Sequence, residues 1–250
     1  SFAVASVTPV IIDPETTFIT LTTTFKYDSS LTTKDVSTLQ TNVLNAVSTY
    51  NTDTLEDFTG MFRYSAVGKT IDEADTSILS NITKIKMYKY ITPTLSSGLK
   101  YTLSFNNAFY NPHSGHNASA GGIVSSTGFK INDDSSTNEH FLDDNGEGAI
   151  RVYYLSGTTR IYTDSSFGTI DYTTGEIILT SANITSISNV DGAASTQIRV
   201  TVTPSSNDVV PVRNQVLSID TANSSFTGSV DEIESGSSQA GTSYTTTSSY

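Results

Sequence analysis

Residues 17–27 read TFITLTTTFKY, and this stretch decides the kind of fold that the chain adopts. Its apolar side chains recur at a period of two, which places them together on one face of an extended strand. The residues between them are mostly threonine, which suits the half-exposed face of a sheet. The stretch therefore predicts a strand with one buried face, formed by Ile19, Leu21, Phe25 and Tyr27.

An amphipathic helix is predicted to follow this strand. Thr32 and Asp35 have the spacing of a capping box, in which side chains satisfy the free N–H groups at a helix start. Apolar residues then recur at helical spacing for about four to five turns, ending near Asn51. They are Val36, Leu39, Val43, Leu44, Val47 and Tyr50.

A second helix is predicted around residues 65–70, SAVGKT, although Gly-Lys-Thr also ends a phosphate-binding loop. Such a loop needs another glycine five residues before Gly68, and Arg63 stands there. Spacings of three or four residues between apolar side chains favour a helix, even though Gly68 lowers its propensity by about 1 kcal/mol relative to alanine. The apolar positions are Tyr64, Val67, Ile71, Ala74 and Ile78.

The helical period gives way to short strands further along the chain. Residues 82–92, ITKIKMYKYIT, alternate as a half-exposed strand does, with Ile85 and Met87 on the buried face. Beyond Pro93, short β-like runs are separated by Gly, Asn, Asp and Ser. The clearest hairpin is GTIDYTTGEIIL, in which Ile170 and Tyr172 enter a turn at residues 173–175 and Ile177 leaves it. Gly175 supplies the left-handed conformation that such a turn needs.

These patterns predict an α+β fold in which a strand-helix-helix-strand unit precedes a β-rich domain with hairpins and a polar C-terminal tail. The expected divisions are an N-terminal segment at 1–14, the strand-helix-helix-strand assembly domain at 15–95, the β-rich domain at 96–220 and the tail at 221–250. The tail is rich in Ser and Thr and contains no Lys or Arg. We expect it to be mobile in isolation, because so few apolar residues cannot offset the entropy lost on ordering.

Composition restricts the partners. The chain has 250 residues, 13 Lys and Arg against 25 Asp and Glu, and a formal charge of −12. This charge repels nucleic acids and anionic membranes, so neither is an expected partner. No run of about 18 apolar residues is present to span a bilayer. Cysteine is absent, which rules out disulfides and thiolate chemistry.

Two polar segments are weak candidates for metal binding. His113 and His116 lie three residues apart in a loop, and His140 is the only other histidine. Residues 143–148, DDNGEG, resemble half of a calcium loop, with Asp143, Asn145 and Glu147 as oxygen ligands. The twelfth position, where a calcium loop of this type has glutamate, is a tyrosine, so an exposed turn is favoured. No catalytic, cofactor or metal residue is assigned.

The order of these segments resembles the baseplate J-like proteins of contractile phage tails. FGTIDYTTGEIILTS and DVVPVRNQVLSID resemble more narrowly the large wedge protein of T-even-like baseplates, and the resemblance covers roughly residues 14–220. Because that family's wedge proteins are much longer, the chain resembles the C-terminal part of one or a shortened relative. The family motif has structural rather than catalytic positions, matched by Phe62, Ser65, Val67, Ile71, Asp72, Asp75, Ser77 and Ile78.

The resemblance implies a scaffold in the virion tail, made in the cytoplasm of the bacterial host. Copies would pair and link wedges into a ring around the central hub, rearranging when the sheath contracts. The implied partners are copies of the chain, other wedge proteins, and sheath-initiating or hub proteins. No enzymatic activity or cofactor is expected. The alternative is a calcium- or glycan-binding β-rich adhesin module, suggested by the Ser- and Thr-rich strands, the tyrosines and DDNGEG.

Overall fold

The computed structural model describes residues 14–118, 122–134, 137–212 and 214–232. It is 46% strand and 14% helix, so the predicted α+β class is wrong and the protein is mostly β. The helical segments are short, whereas nearly every short apolar run beyond residue 96 pairs into a sheet. The strands are β1 (Glu15–Tyr27), β2 (Ile78–Ile91), β3 (Gly98–Ser104), β4 (Ser125–Ser126), β5 (Phe129–Ile131), β6 (His140–Asp144), β7 (Ala149–Ser156), β8 (Thr159–Asp171), β9 (Glu176–Ile187), β10 (Ile198–Val202), β11 (Gln215–Ile219) and β12 (Ser225–Val230).

The first sheet is built around the two longest neighbouring strands. β1 and β2 pair antiparallel, and the strand order is β11-β1-β2-β10-β4. β12 also pairs with β1, beyond the end of β11, and both of these strands run parallel to β1. Strands from the range 96–220 and from the predicted tail thus join the sheet of β1 and β2.

Two helices lie between β1 and β2 in the chain, α1 (Val36–Tyr50) and α2 (Tyr64–Asp72), with a π-helical turn at Asn51–Leu55. Asp35 caps α1 by accepting a hydrogen bond from the Thr38 N–H, so Asp35 itself, rather than Thr32, begins the helix. The buried helical side chains share one core with the inward face of the first sheet. They are Leu39, Val43, Val47, Val67 and Ile71.

The second sheet closes on itself. Its order is β3-β9-β5-β6-β7-β8, and β8 pairs with β9 as well, so five strands form a small barrel with β3 attached outside the ring. The long β9 makes closure possible, because its first half pairs with β8 and its second half with β5. Buried side chains of the barrel and of the first sheet belong to one hydrophobic cluster.

A buried lysine joins the two sheets. Lys89 of β2 is 3% exposed, and its Nζ donates to Glu15 Oε2 at 2.8 Å and to the Ser104 carbonyl at 2.7 Å. Gln215 of β11 donates to the same carbonyl at 3.1 Å. Burial lowers the pKa of Lys89, and the Glu15 carboxylate opposes this shift. The end of β3 is therefore held by two strands of the first sheet.

The polar tail begins later than predicted. Ser225–Val230 forms β12, and the Asp231 N–H donates to the Tyr27 carbonyl at 2.8 Å. Backbone hydrogen bonds to β1 of the same chain compensate for the shortage of apolar side chains in β12. Residues 233–250 of the predicted tail and residues 1–13 of the N-terminal segment lie outside the described residues.

The hairpin between β8 and β9 has a longer loop than predicted. Ile170 pairs with Ile177 and Asp171 with Glu176, which leaves Tyr172 in the loop rather than in the strand. Asp171 accepts hydrogen bonds from the N–H groups of residues 173 and 174 and so forms the turn. Gly175 has φ +71°, and a Cβ there would lie 2.0 Å from the Asn107 carbonyl oxygen.

We expect Gly175→Ala to be far more destabilising than Gly157→Ala. Both glycines have positive φ, but nothing lies within 4 Å of a Cβ at Gly157, so that change should cost only about 1–2 kcal/mol of left-handed strain. At Gly175 the collision with Asn107 should add about 1–3 kcal/mol. Chemical denaturation of the two variants measures the difference, and equal losses would contradict the close approach of the Asn107 backbone.

Candidate assembly surface

Asp75 and Ser77 of the family motif lie in the turn between α2 and β2. The Asp75 carboxylate accepts hydrogen bonds from the Ser77 N–H at 3.0 Å and the Ser77 hydroxyl at 2.7 Å. It also pairs with Lys34 from the loop before α1. The hydrogen bond from Lys34, together with those from Ser77, outweighs burial and lowers the pKa of Asp75 to about 2. This turn ends the helical region early, so Ile78 opens β2 instead of continuing α2 as predicted.

The other motif positions are mainly packing residues. Phe62 is fully buried and exchanges backbone hydrogen bonds with Val209, each 3.0 Å long. Asp72 accepts a hydrogen bond from the Asn81 amide at 2.8 Å, which ties α2 to β2. Ser65 is exposed near the start of α2, whereas Val67 and Ile71 are buried. These motif residues thus hold the helices against the sheet.

Gly68 and Lys69, the end of the phosphate-loop-like SAVGKT, are ordinary residues of α2. The Gly68 carbonyl accepts a hydrogen bond from Asn81, and a Cβ at Gly68 would make normal contact with that side chain at 3.7 Å. The neighbour of Gly68 is thus the Asn81 side chain and not another backbone. Lys69 is exposed, and its Nζ lies 3.6 Å from Glu73 Oε1.

The first sheet has an outer face that the two helices do not cover. We define it by Thr20, Thr22 and Thr24 of β1 and by Ile82, Lys84 and Lys86 of β2, which point away from the helices. Ile82 is 68% exposed, the largest exposed fraction among the large hydrophobic side chains of the described residues. The outer face thus presents one exposed isoleucine among threonines and lysines.

One end of this outer face carries an aromatic cluster. Phe18 stacks on Tyr88 with ring centroids 4.9 Å apart, and Tyr90 meets both rings edge-on. The Tyr88 hydroxyl donates to Asp220 at 2.7 Å, and burial together with this carboxylate raises the pKa of Tyr88. Arg199 lies over the Tyr88 ring. Tyr88 is therefore a packed residue and not an open platform for a sugar ring.

A cluster of charged residues and tyrosines lies on the barrel. Asp143 is fully buried, and its carboxylate accepts hydrogen bonds from Arg151 Nε at 2.9 Å, Arg160 Nη1 at 2.7 Å and the Tyr162 hydroxyl at 2.8 Å. Each arginine also stacks on a tyrosine ring: Arg151 on Tyr162 and Arg160 on Tyr153. No local sequence pattern indicates this cluster, because its members are brought together only by the register of β6, β7 and β8.

The structure does not assemble the calcium ligands considered for DDNGEG. The Asp143 carboxylate is bonded to arginines, and the Asn145 side-chain oxygen accepts from the N–H groups of Glu147 and Ala149. Asp144, next in the chain, accepts from the N–H groups of residues 123 and 124 and from the Tyr172 hydroxyl. These oxygen atoms hold separate loops of the fold.

The histidines are divided between two places. His113 and His116 touch each other in an exposed loop, with ring nitrogens 3.2 Å apart. His140 is fully buried in β6, where its Nε2 lies 3.1 Å from Asp134 Oδ2. Across the described ranges, no group of three or more His, Asp or Glu side chains is placed to hold a metal ion.

Comparison with known proteins links one part of the chain to phage tails. Residues 15–90 match the family model described as baseplate structural protein gp6, C-terminal domain III. The matched span runs from the first residue of β1 almost to the end of β2 and includes both helices. No curated protein matches the chain. The family match supports a phage baseplate protein with a structural role in the virion tail. Within the described residues, no helix is both long enough and apolar enough to cross a membrane.

We expect Asp75 to contribute a pH-dependent part of the stability. Its folded-state pKa of about 2 lies below the ordinary value of 3.8, so the charged form favours the folded state. The contribution, about 2 kcal/mol, is present above pH 4 to 5 and is lost as the pH falls through about 2. In Asp75→Asn, the amide oxygen still accepts from Ser77 but the charge is removed.

Urea denaturation of the parent protein and Asp75→Asn between pH 2.5 and pH 7 measures this contribution. The difference in unfolding free energy should shrink as the pH falls. Asp57→Asn, which makes the same change at an exposed carboxylate, is the matched control. A constant difference between the parent and Asp75→Asn at all pH values would contradict the ion pair with Lys34.

Proposed function

We propose that this chain is a structural subunit of a phage tail baseplate wedge and acts by burying surface against copies of itself and against other baseplate proteins. The observation that carries the proposal is the match of residues 15–90 to a baseplate domain, together with the fold of that span. Its helices cover one face of the first sheet and leave the outer face open. A scaffold needs such a division between a buried core face and a face available for contact.

The physical basis of assembly would be surface burial. A stable contact between proteins removes about 1,200–2,000 Å² of total surface from water. For contact with other baseplate proteins, the outer face offers Ile82 as an apolar centre, and the surrounding threonines form a polar rim that tolerates water before assembly. The net charge of −12 opposes association of copies, so interfaces between copies should avoid acidic side chains.

The finer role that we propose is the linking of wedges into a ring around the central hub. Closed rotational symmetry would limit the assembly to a ring instead of an open filament. Rearrangement on sheath contraction would then move whole subunits, because the two sheets share one core and are joined at Lys89. Wedge, hub and sheath-initiating proteins are the proposed partners.

We also propose that the chain works without catalysis and without a cofactor. Three buried ionisable groups already hold structural partners: Asp75 holds Lys34, Lys89 holds Glu15, and Asp143 holds two arginines. The alternative, a calcium- or glycan-binding adhesin module, is less well supported. Tyr88 and Tyr153 are buried, and the oxygens of DDNGEG bind protein donors.

The first test is light scattering coupled to size-exclusion chromatography of the full chain at tens of micromolar. We expect a dimer or larger closed species whose proportion rises with concentration. A melting curve with millimolar calcium and one with a chelator should coincide, because a scaffold gains no stability from the ion. A monomer at every concentration, together with calcium-dependent melting, would favour the adhesin module instead.

A further inference from the structure

One side of the β12 backbone pairs with no other strand of the described residues. Among the strands of the described residues, β12 pairs only with β1, although it lies at the edge of a six-stranded sheet. None of its six residues is fully buried, whereas three of the five residues of β11 beside it are. β12 is thus an exposed edge strand.

The direction of its free backbone groups follows from one hydrogen bond. The Asp231 N–H donates to the Tyr27 carbonyl of β1, and residues along a strand point alternately to one side and the other. The N–H and C=O groups of Thr227 and Ser229 therefore also point to β1. Those of Phe226, Gly228 and Val230 point outward, where they can form a further ladder.

β11 differs at the corresponding position. The Ile219 N–H points outward from β11, and the buried side chain of Asn51 accepts its hydrogen bond at 2.6 Å. The π-helical turn that contains Asn51 thus caps the outer edge of β11. No side chain in the part of the chain that the structure describes caps β12 in this way, and its sequence, SFTGSV, lacks the charged residues and proline that commonly protect edge strands.

We propose that β12 pairs antiparallel with β12 of a second copy of this chain, which joins the two first sheets into one continuous sheet. This inference rests on the self-association proposed above and assigns its surface. The strand is uncharged in a chain of net charge −12, so two copies can meet here with little local repulsion. A two-fold axis makes antiparallel pairing of a strand with itself self-complementary.

The register of this pairing follows from the outward groups. The two Gly228 residues would face each other on the two-fold axis as a hydrogen-bonded pair, and Phe226 would face Val230 of the second copy. On the helix side of the sheet, Val36 already lies over Gly228, because a Cβ at Gly228 would be 2.8 Å from Val36 Cγ2. Val36 and Val230 are 36% and 39% exposed, so pairing would extend an apolar contact across the axis.

The test uses the full chain and two matched lysine substitutions, Val230→Lys on the β12 edge and Ile82→Lys on the outer face. Both replace an exposed aliphatic side chain with the same charge. We expect Val230→Lys to weaken self-association by at least about tenfold, because lysine is a typical protector of edge strands. Ile82→Lys should leave the dissociation constant of the dimer nearly unchanged.

A second measurement on the parent protein does not depend on the folding of any variant. Amide hydrogen exchange resolved by residue should show that Phe226, Gly228 and Val230 gain protection as protein concentration rises. The amides of Thr227 and Ser229, already directed to β1, should be protected at every concentration.

The outcomes separate this inference from the proposed function. Association that Ile82→Lys abolishes and Val230→Lys does not would overturn the β12 pairing and leave self-association intact. A chain that is monomeric at tens of micromolar, with rapid exchange at the three outward amides, would overturn both. Concentration-dependent protection confined to those three amides supports the pairing.

Discussion

Pairing on both sides of β1 is the constraint on which the first sheet depends. β2, on one side, is separated from β1 by two helices, and β11 and β12, on the other, come from the far end of the chain. The helices pack only because this sheet offers Ile19, Leu21 and Phe25 as a continuous apolar face. Such long-range pairing has a high entropic cost before it becomes stable, so cooperative completion of the sheet is expected.

Buried charged side chains connect separate elements of the fold. Asp75 joins the loop before α1 to the turn after α2, Lys89 joins the two sheets, and Asp143 joins three strands of the barrel. An unpaired buried charge is costly, so each of these side chains strongly favours the one arrangement in which it is partnered. Polar residues therefore contribute specificity to the fold.

Local patterns could be read from the sequence, whereas their long-range partners could not. The alternation of Ile19, Leu21 and Phe25 and the helical spacing of Leu39, Val43 and Val47 match the buried faces. The class was wrong because helical periodicity is a strong signal, while strands of two to five residues, such as β4 and β5, become recognisable only when paired. β12 was missed because its stability comes from backbone hydrogen bonds to β1. The Asp143 cluster depends on strand register, which no local pattern specifies.

The position of β12 in the chain also sets an order of events during synthesis. β1 leaves the ribosome about 200 residues before β12. One side of β1 therefore stays unpaired with β12 while the strands of the barrel are synthesised. The outward backbone groups of β12 have no ordered geometry until that strand docks on β1. A nascent chain therefore completes its own sheet before it presents the edge proposed for a second copy, and this sequence of steps would protect unfinished chains from premature association.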